Sequence, residues 1–124
     1  MANTSENLKY AKSDEWLDEV SGKMGISDYA QRQLSDIVFL EISVEVGDVI
    51  ESGSVVASVE SVKAASDVMA PVGGRVVAIN TAVIEAPENI NGDPYGSWFI
   101  QLEQITQVGL MDATEYNTYC GTRG

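Results

Sequence analysis

Apolar and polar residues alternate through the middle of the chain with the period of two expected for half-buried strands. Val55, Ala57 and Val59 alternate with Ser54, Ser58 and Glu60, and only Val56 breaks the pattern. Val68, Ala70 and Val72 resume it, and Arg75–Ile79 reads as a further strand. Upstream, Ile37-Val38-Phe39-Leu40 is a short apolar run between polar residues, which suits a buried strand. Trp16, Leu17 and Val20 mark an early strand region within 10–20. Trp98, Ile100 and Leu102 share one face of a late one. Gly-containing punctuation divides these runs at Ser21-Gly22, Gly47-Asp48, Ser52-Gly53 and Gly73-Gly74.

Helical signals are few and short. Ser27-Asp28 opens a helix through about Leu34, with either residue able to cap it and Gln31 in capping-box spacing from Asp28. Ala86-Pro87-Glu88-Asn89 reads as a loop or a short helix with proline at its first position. Asp93-Pro94-Tyr95-Gly96 has the residues of a type I turn. Asp112 and Glu115 have capping-box spacing at the start of a closing helix to about Tyr119. Short strands, close turns and repeated glycines predict a mainly β fold, a compact sandwich or flattened barrel. A chain of 124 residues suits one domain over 1–124, with 1–7 as a loose polar leader.

Charge and composition narrow the chemistry. Nineteen acids against seven bases give a formal net charge of −12, which disfavours nucleic acid and anionic lipid as partners. There is no histidine, so Ser-His-Asp and Cys-His catalysis and the usual zinc sites are excluded. One cysteine, Cys120, precludes an internal disulfide and fits a reducing compartment. The polar N-terminus has no apolar signal segment. Together these shift weight from enzyme toward carrier, binding or structural protein.

One lysine is set apart. Between Arg32 and Arg75 the only cation is Lys63, among seven acids (Asp36, Glu41, Glu45, Asp48, Glu51, Glu60 and Asp67). Alternating segments on either side place it near a hairpin tip, and Ser61, Ala64 and Ala65 leave room around it. This is what an attachment lysine for a modifying enzyme needs, although an ordinary exposed lysine has the same local pattern.

Glu60-Ser61-Val62-Lys63-Ala64, followed by Asp67, Ala70-Pro71 and Gly74, resembles the lipoylation motif of glycine cleavage system H proteins. The resemblance extends through Asp14-Glu15-Trp16, Gly25-Ile26-Ser27-Asp28-Tyr29-Ala30-Gln31, Asp36-Ile37-Val38-Phe39, Val46-Gly47-Asp48, Asn89-Ile90-Asn91, Asp93–Gly96 with Trp98, and Asp112–Tyr116. It implies a lipoyl/biotinyl-carrier-like flattened β-barrel or sandwich hybrid with short helices, one of them C-terminal. It also implies lipoate as the covalent cofactor, in amide linkage on Lys63.

The implied role is a non-catalytic carrier that shuttles an aminomethyl group derived from glycine. Its partners would be a pyridoxal-phosphate glycine decarboxylase, a tetrahydrofolate-dependent aminomethyltransferase, dihydrolipoyl dehydrogenase, and a lipoate ligase or lipoyl transferase. The setting would be a bacterial cytoplasm, or a mitochondrial matrix for a mature eukaryotic chain. By the same resemblance Glu60, Asp67 and Gly74 present Lys63 to the lipoylating enzyme, and Glu15 lines a cleft for the arm. The residues themselves also allow Glu15 as a plain acid beside a packed Trp16, and Gly74 as a turn glycine with positive φ.

The sequence departs from the family in places. Asp14 stands where the family has His, and the Trp16–Gly25 interval is short. Biotin carriers place Met on both sides of their lysine, whereas Val62 and Ala64 flank Lys63. Lipoyl domains of 2-oxoacid dehydrogenases are shorter and lack counterparts of Trp16 and Tyr116. An H-like lipoate-relay carrier or an unmodified interaction module is the alternative to the glycine-cleavage role.

Overall fold

A computed structural model of the chain describes residues 7–106 and 109–123. Most of the expected polar leader, residues 1–6, lies outside them. Among the described residues nine strands form two antiparallel sheets. The larger runs in the order β1 (Lys9–Tyr10), β2 (Glu15–Leu17), β3 (Lys23–Ile26), β9 (Ile100–Thr106), β8 (Gly73–Ile79), β5 (Val49–Ile50). The smaller runs β4 (Ile37–Ile42), β6 (Val55–Ser61), β7 (Ala65–Met69). Leu17, Met24, Val76, Ile100 and Leu102 from one sheet and Leu40, Val56, Val59 and Val68 from the other pack into one apolar core. This is the mainly β architecture expected from the patterning.

Four short helices among the described residues complete it: α1 (Asp28–Leu34), α2 (Thr81–Glu85), α3 (Asn89–Gly92) and α4 (Ala113–Arg123). Ser27 alone caps α1, its hydroxyl accepting the Ala30 amide at 3.1 Å. Asp28 and Gln31 instead bond side chain to side chain at 2.8 Å. At α4 the capping box is formed as expected: Glu115 N donates to Asp112 Oδ1 at 2.8 Å and Asp112 N to Glu115 Oε1 at 3.2 Å. A second apolar cluster seats α4, with the rings of Tyr10 and Tyr116 stacked at 4.4 Å.

Several expectations are corrected, each for a local reason. Val38 and Phe39 are exposed although Ile37 and Leu40 are buried, because a register shift between Ile37 and Phe39 turns them outward. The same device explains the break at Val56. A shift between Val55 and Ala57 buries Val56 beside Ala57 and leaves Val55 exposed. Val20 sits in a turn, almost fully exposed, and the strand resumes as β3, which the patterning does not announce. The helix near Pro87 begins two residues later, at Asn89.

Gly73 and Gly74 do not form the turn. The bend is at Pro71-Val72, and both glycines enter β8 without positive φ. Gly74 is required by close approach instead: a Cβ there would stand 2.9 Å from the Glu103 carbonyl oxygen and 3.3 Å from Leu102 Cβ.

Candidate functional site

Lys63 occupies the tip of the β6–β7 hairpin and is exposed. Ser61 builds this tip. Its hydroxyl accepts the amides of Lys63 and Ala64 at 3.1 and 3.0 Å and lies 3.1 Å from the Ala64 carbonyl oxygen. The Ser61 amide also donates to that carbonyl at 2.8 Å. A serine at a turn does this work because its short side chain reaches backbone groups two and three residues on. The Val62 amide donates to the Asp36 carbonyl at 3.0 Å, which ties the tip to the segment after α1. Lys63 Nζ donates to the Gln33 carbonyl at 3.1 Å, in the last turn of α1. Unpaired carbonyls at a helix C-terminus attract a cation.

Gln33 belongs to the wall of a cleft of about 310 Å³. The cleft runs between α1 and β7 and is bounded by Ser13 and Asp14 from the β1–β2 loop, by Glu15 at the start of β2, by Ser66 and Asp67 from β7, and by Arg123 from α4. Glu15 is its unusual group: the residue is 1% exposed, so its carboxyl is nearly removed from water. Oε2 accepts the Met69 amide at 3.1 Å, and Oε1 accepts the Ser13 hydroxyl. Burial outweighs both hydrogen bonds and pushes the carboxyl up to about 7, with a small further push from Asp14.

The cleft therefore links two ends of one strand. Lys63 lies just before β7, and Glu15 is bonded to the last residue of β7. Ala65 to Met69 spans about 13 Å at the usual strand rise. An unmodified lysine side chain is too short to bridge that distance.

The other expected site residues separate into two groups. Glu60 faces Ala65 across the hairpin and Asp67 faces Ser58, so both acids lie on one exposed face beside the tip. Asp67 also borders the cleft. Gly74 is not at the tip; it is buried in the other sheet, opposite Ile50. Gln33, Ser13 and Arg123 complete the site and were not anticipated, and Ser61, read only as leaving room beside the lysine, builds the tip. Ser61 could have been read as a turn-stapling serine two residues before the lysine. Nothing local in the sequence brings Arg123 to Asp14, 109 residues away.

Comparison with known proteins gives this geometry a context. Residues 8–123 match the family model described as Glycine cleavage H-protein. Glycine cleavage system H protein 2 of Pseudomonas aeruginosa is 43% identical over 130 aligned residues covering all of both chains. The glycine cleavage system H protein of Deinococcus deserti is 49% identical over 117 residues, covering 92% of this chain and 95% of that one. The crystal structure of a glycine cleavage system H protein from Mycobacterium marinum superposes with a TM-score of 0.84 at 34% identity, covering 98% of this chain and 99% of that one. The chain belongs to the glycine cleavage H-protein family.

Proposed function

We propose that Lys63 carries lipoate in amide linkage and that the chain is the lipoyl carrier of a glycine cleavage system. When bound, lipoate supplies a dithiolane that accepts the aminomethyl group at the decarboxylase, yields it to the tetrahydrofolate-dependent aminomethyltransferase and is reoxidised by dihydrolipoyl dehydrogenase. The chain's own residues present, shelter and release the arm. The observation that carries this reading is the position of Lys63: a stapled hairpin tip whose amine already touches the rim of a cleft with a buried carboxyl at its far end.

The fit is chemical as well as spatial. Acylation removes the lysine charge and takes the formal net charge from −12 to −13, so the Gln33 contact loses its cation and the extended arm is free to turn into the cleft. Glu15, ionised, holds an amine delivered there by a charge-assisted hydrogen bond. Its buried site excludes water that would attack the cargo. Glu60 and Asp67 offer an acidic face beside the tip to the lipoate ligase or lipoyl transferase. Gly74 serves presentation only indirectly, by letting β8 pack on β9 so that the domain that carries the tip folds. The carrier contributes no chemical step; tethering supplies a high local concentration at each partner. The bacterial relatives favour a cytoplasmic setting.

Reconstitution tests this reading. Lipoylated chain combined with its cognate decarboxylase should support glycine decarboxylation, and Lys63→Arg should abolish it. Lipoylated chain that supports none identifies a lipoate-relay carrier instead.

A further inference from the structure

The end of the cleft that holds Glu15 is bordered by a side chain from the other end of the chain. Arg123, the last residue of α4, donates Nη1 and Nη2 to Asp14 Oδ1 and Oδ2 at 2.5 and 2.8 Å. Its guanidinium lies 4.3 Å from the Tyr29 ring centre and 4.7 Å from that of Tyr119. Asp14 Oδ1 also accepts the Tyr116 hydroxyl at 2.8 Å, and that hydroxyl is 2.6 Å from Ser27 Oγ, the cap of α1. The Asp14 carbonyl accepts the Ser27 amide at 2.9 Å, and the Asp14 amide donates to Ala11 at 3.0 Å. These bonds hold Asp14 at φ +79°, a conformation that few non-glycine residues adopt. Its neighbour Glu15 is thereby aimed into the cleft.

Two adjacent carboxylates border this end of the cleft, and an arriving amine is attracted to both. Only Asp14 has a bidentate cation. We propose that the Arg123–Asp14 pair is a positioning device for the arm cleft: it seals this end and neutralises Asp14, so that an amine brought in on Lys63 is held by Glu15. The part concerning the arm rests on the lipoyl-carrier reading; the part concerning the two carboxylates does not. The groups around Glu15 are Ser13 and Asp14 from the β1–β2 loop, the Met69 amide and Asp67 from β7, Tyr29 from α1 and Arg123 from α4. Of these, Arg123 is the cation, and removing it leaves the push of Asp14 on Glu15 uncompensated.

The test uses Arg123→Gln, Arg123→Lys and the double variant Asp14→Asn/Arg123→Gln in the full chain. In unlipoylated protein, carboxyl NMR follows the titration of Glu15. Its midpoint should move upward in R123Q and return close to the wild-type value in the double variant, where both charges are gone. In lipoylated, cargo-loaded protein, spontaneous hydrolysis is followed as formaldehyde release. Water takes up the one-carbon unit, the thiol is regenerated, and formaldehyde and ammonia leave. The lifetime should fall roughly three- to tenfold in R123Q, the scale of one lost hydrogen-bonded contact. R123K, which keeps charge without the fork, should fall between. A folded R123Q with unchanged Glu15 midpoint overturns the charge balance, and one with unchanged cargo lifetime overturns the seal. If R123Q does not fold, R123K and the double variant carry the same comparison. A chain that is never lipoylated removes the carrier reading but leaves the Glu15 titration able to decide the role of the pair.

Discussion

Glu15 accepts the Met69 backbone amide at 3.1 Å, joining the start of β2 to the end of the strand that begins beside Lys63. This contact puts a carboxyl with a raised affinity for protons at one end of β7 and Lys63 at the other. A carboxyl so placed is costly to ionise in the resting protein, and it becomes a strong partner once an amine enters.

The cost is measurable as pH-dependent stability. Glu15 binds its proton more tightly folded, at about 7, than at its ordinary 4.5. The stability linked to this proton is full below about pH 4.5 and is lost as pH rises through 7. The ionised group then costs the fold on the order of 3 kcal/mol. Glu15→Gln removes the ionisation and keeps an acceptor for Met69. Urea melts should show the variant about 1–3 kcal/mol more stable than wild type at pH 8, with the gap closing near pH 4.5. The same variant should shorten the lifetime of bound cargo, a gain in stability taken from function.

Ser61 should matter more for modification than for folding. Three contacts of its hydroxyl shape the tip that carries Lys63. Ser61→Ala should cost about 1 kcal/mol in thermal or chemical melts. Lipoylation by the cognate ligase, followed by mass spectrometry, should slow several-fold more than that small loss explains, because the tip is no longer held in one shape.

Glu60 and Asp67 should behave in the opposite way from a core residue. Both are exposed and share one face beside the tip. Glu60→Gln and Asp67→Asn should leave the free energy of unfolding within about 0.5 kcal/mol of wild type. Each should lower kcat/KM for lipoylation roughly threefold to tenfold, and the effect should weaken in high salt if it reflects charge steering.

Gly74→Ala separates packing from recognition. The added Cβ would press on Glu103 and Leu102 of β9, which predicts a loss of about 1–3 kcal/mol. Lipoylation of the fraction that remains folded should stay close to wild type, since Gly74 sits in the sheet that does not bear the hairpin.

Legibility in the sequence follows how local each determinant is. The hairpin at Lys63, the opening of α1 at Ser27-Asp28 and the capping box at Asp112 and Glu115 depend on residues within a few positions of each other. Period and spacing therefore reveal them. Val38, Phe39 and Val56 mislead because register shifts in β4 and β6 change which way successive side chains face, and no pattern marks a bulge in advance. Gly74 was readable as a special glycine but not for its reason, since its crowding comes from β9, about 30 residues on. Glu15 entered through family resemblance; only the fold shows how deeply it is buried. The Arg123–Asp14 pair joins opposite ends of the chain and had no local trace.

The most direct measurement is the intact mass of the chain purified from its native host grown on glycine, followed by peptide mapping. The account predicts the lipoyl increment, located on the peptide containing Lys63 and absent from Lys63→Arg. A chain of unmodified mass under those conditions, or an increment on another lysine, would contradict it.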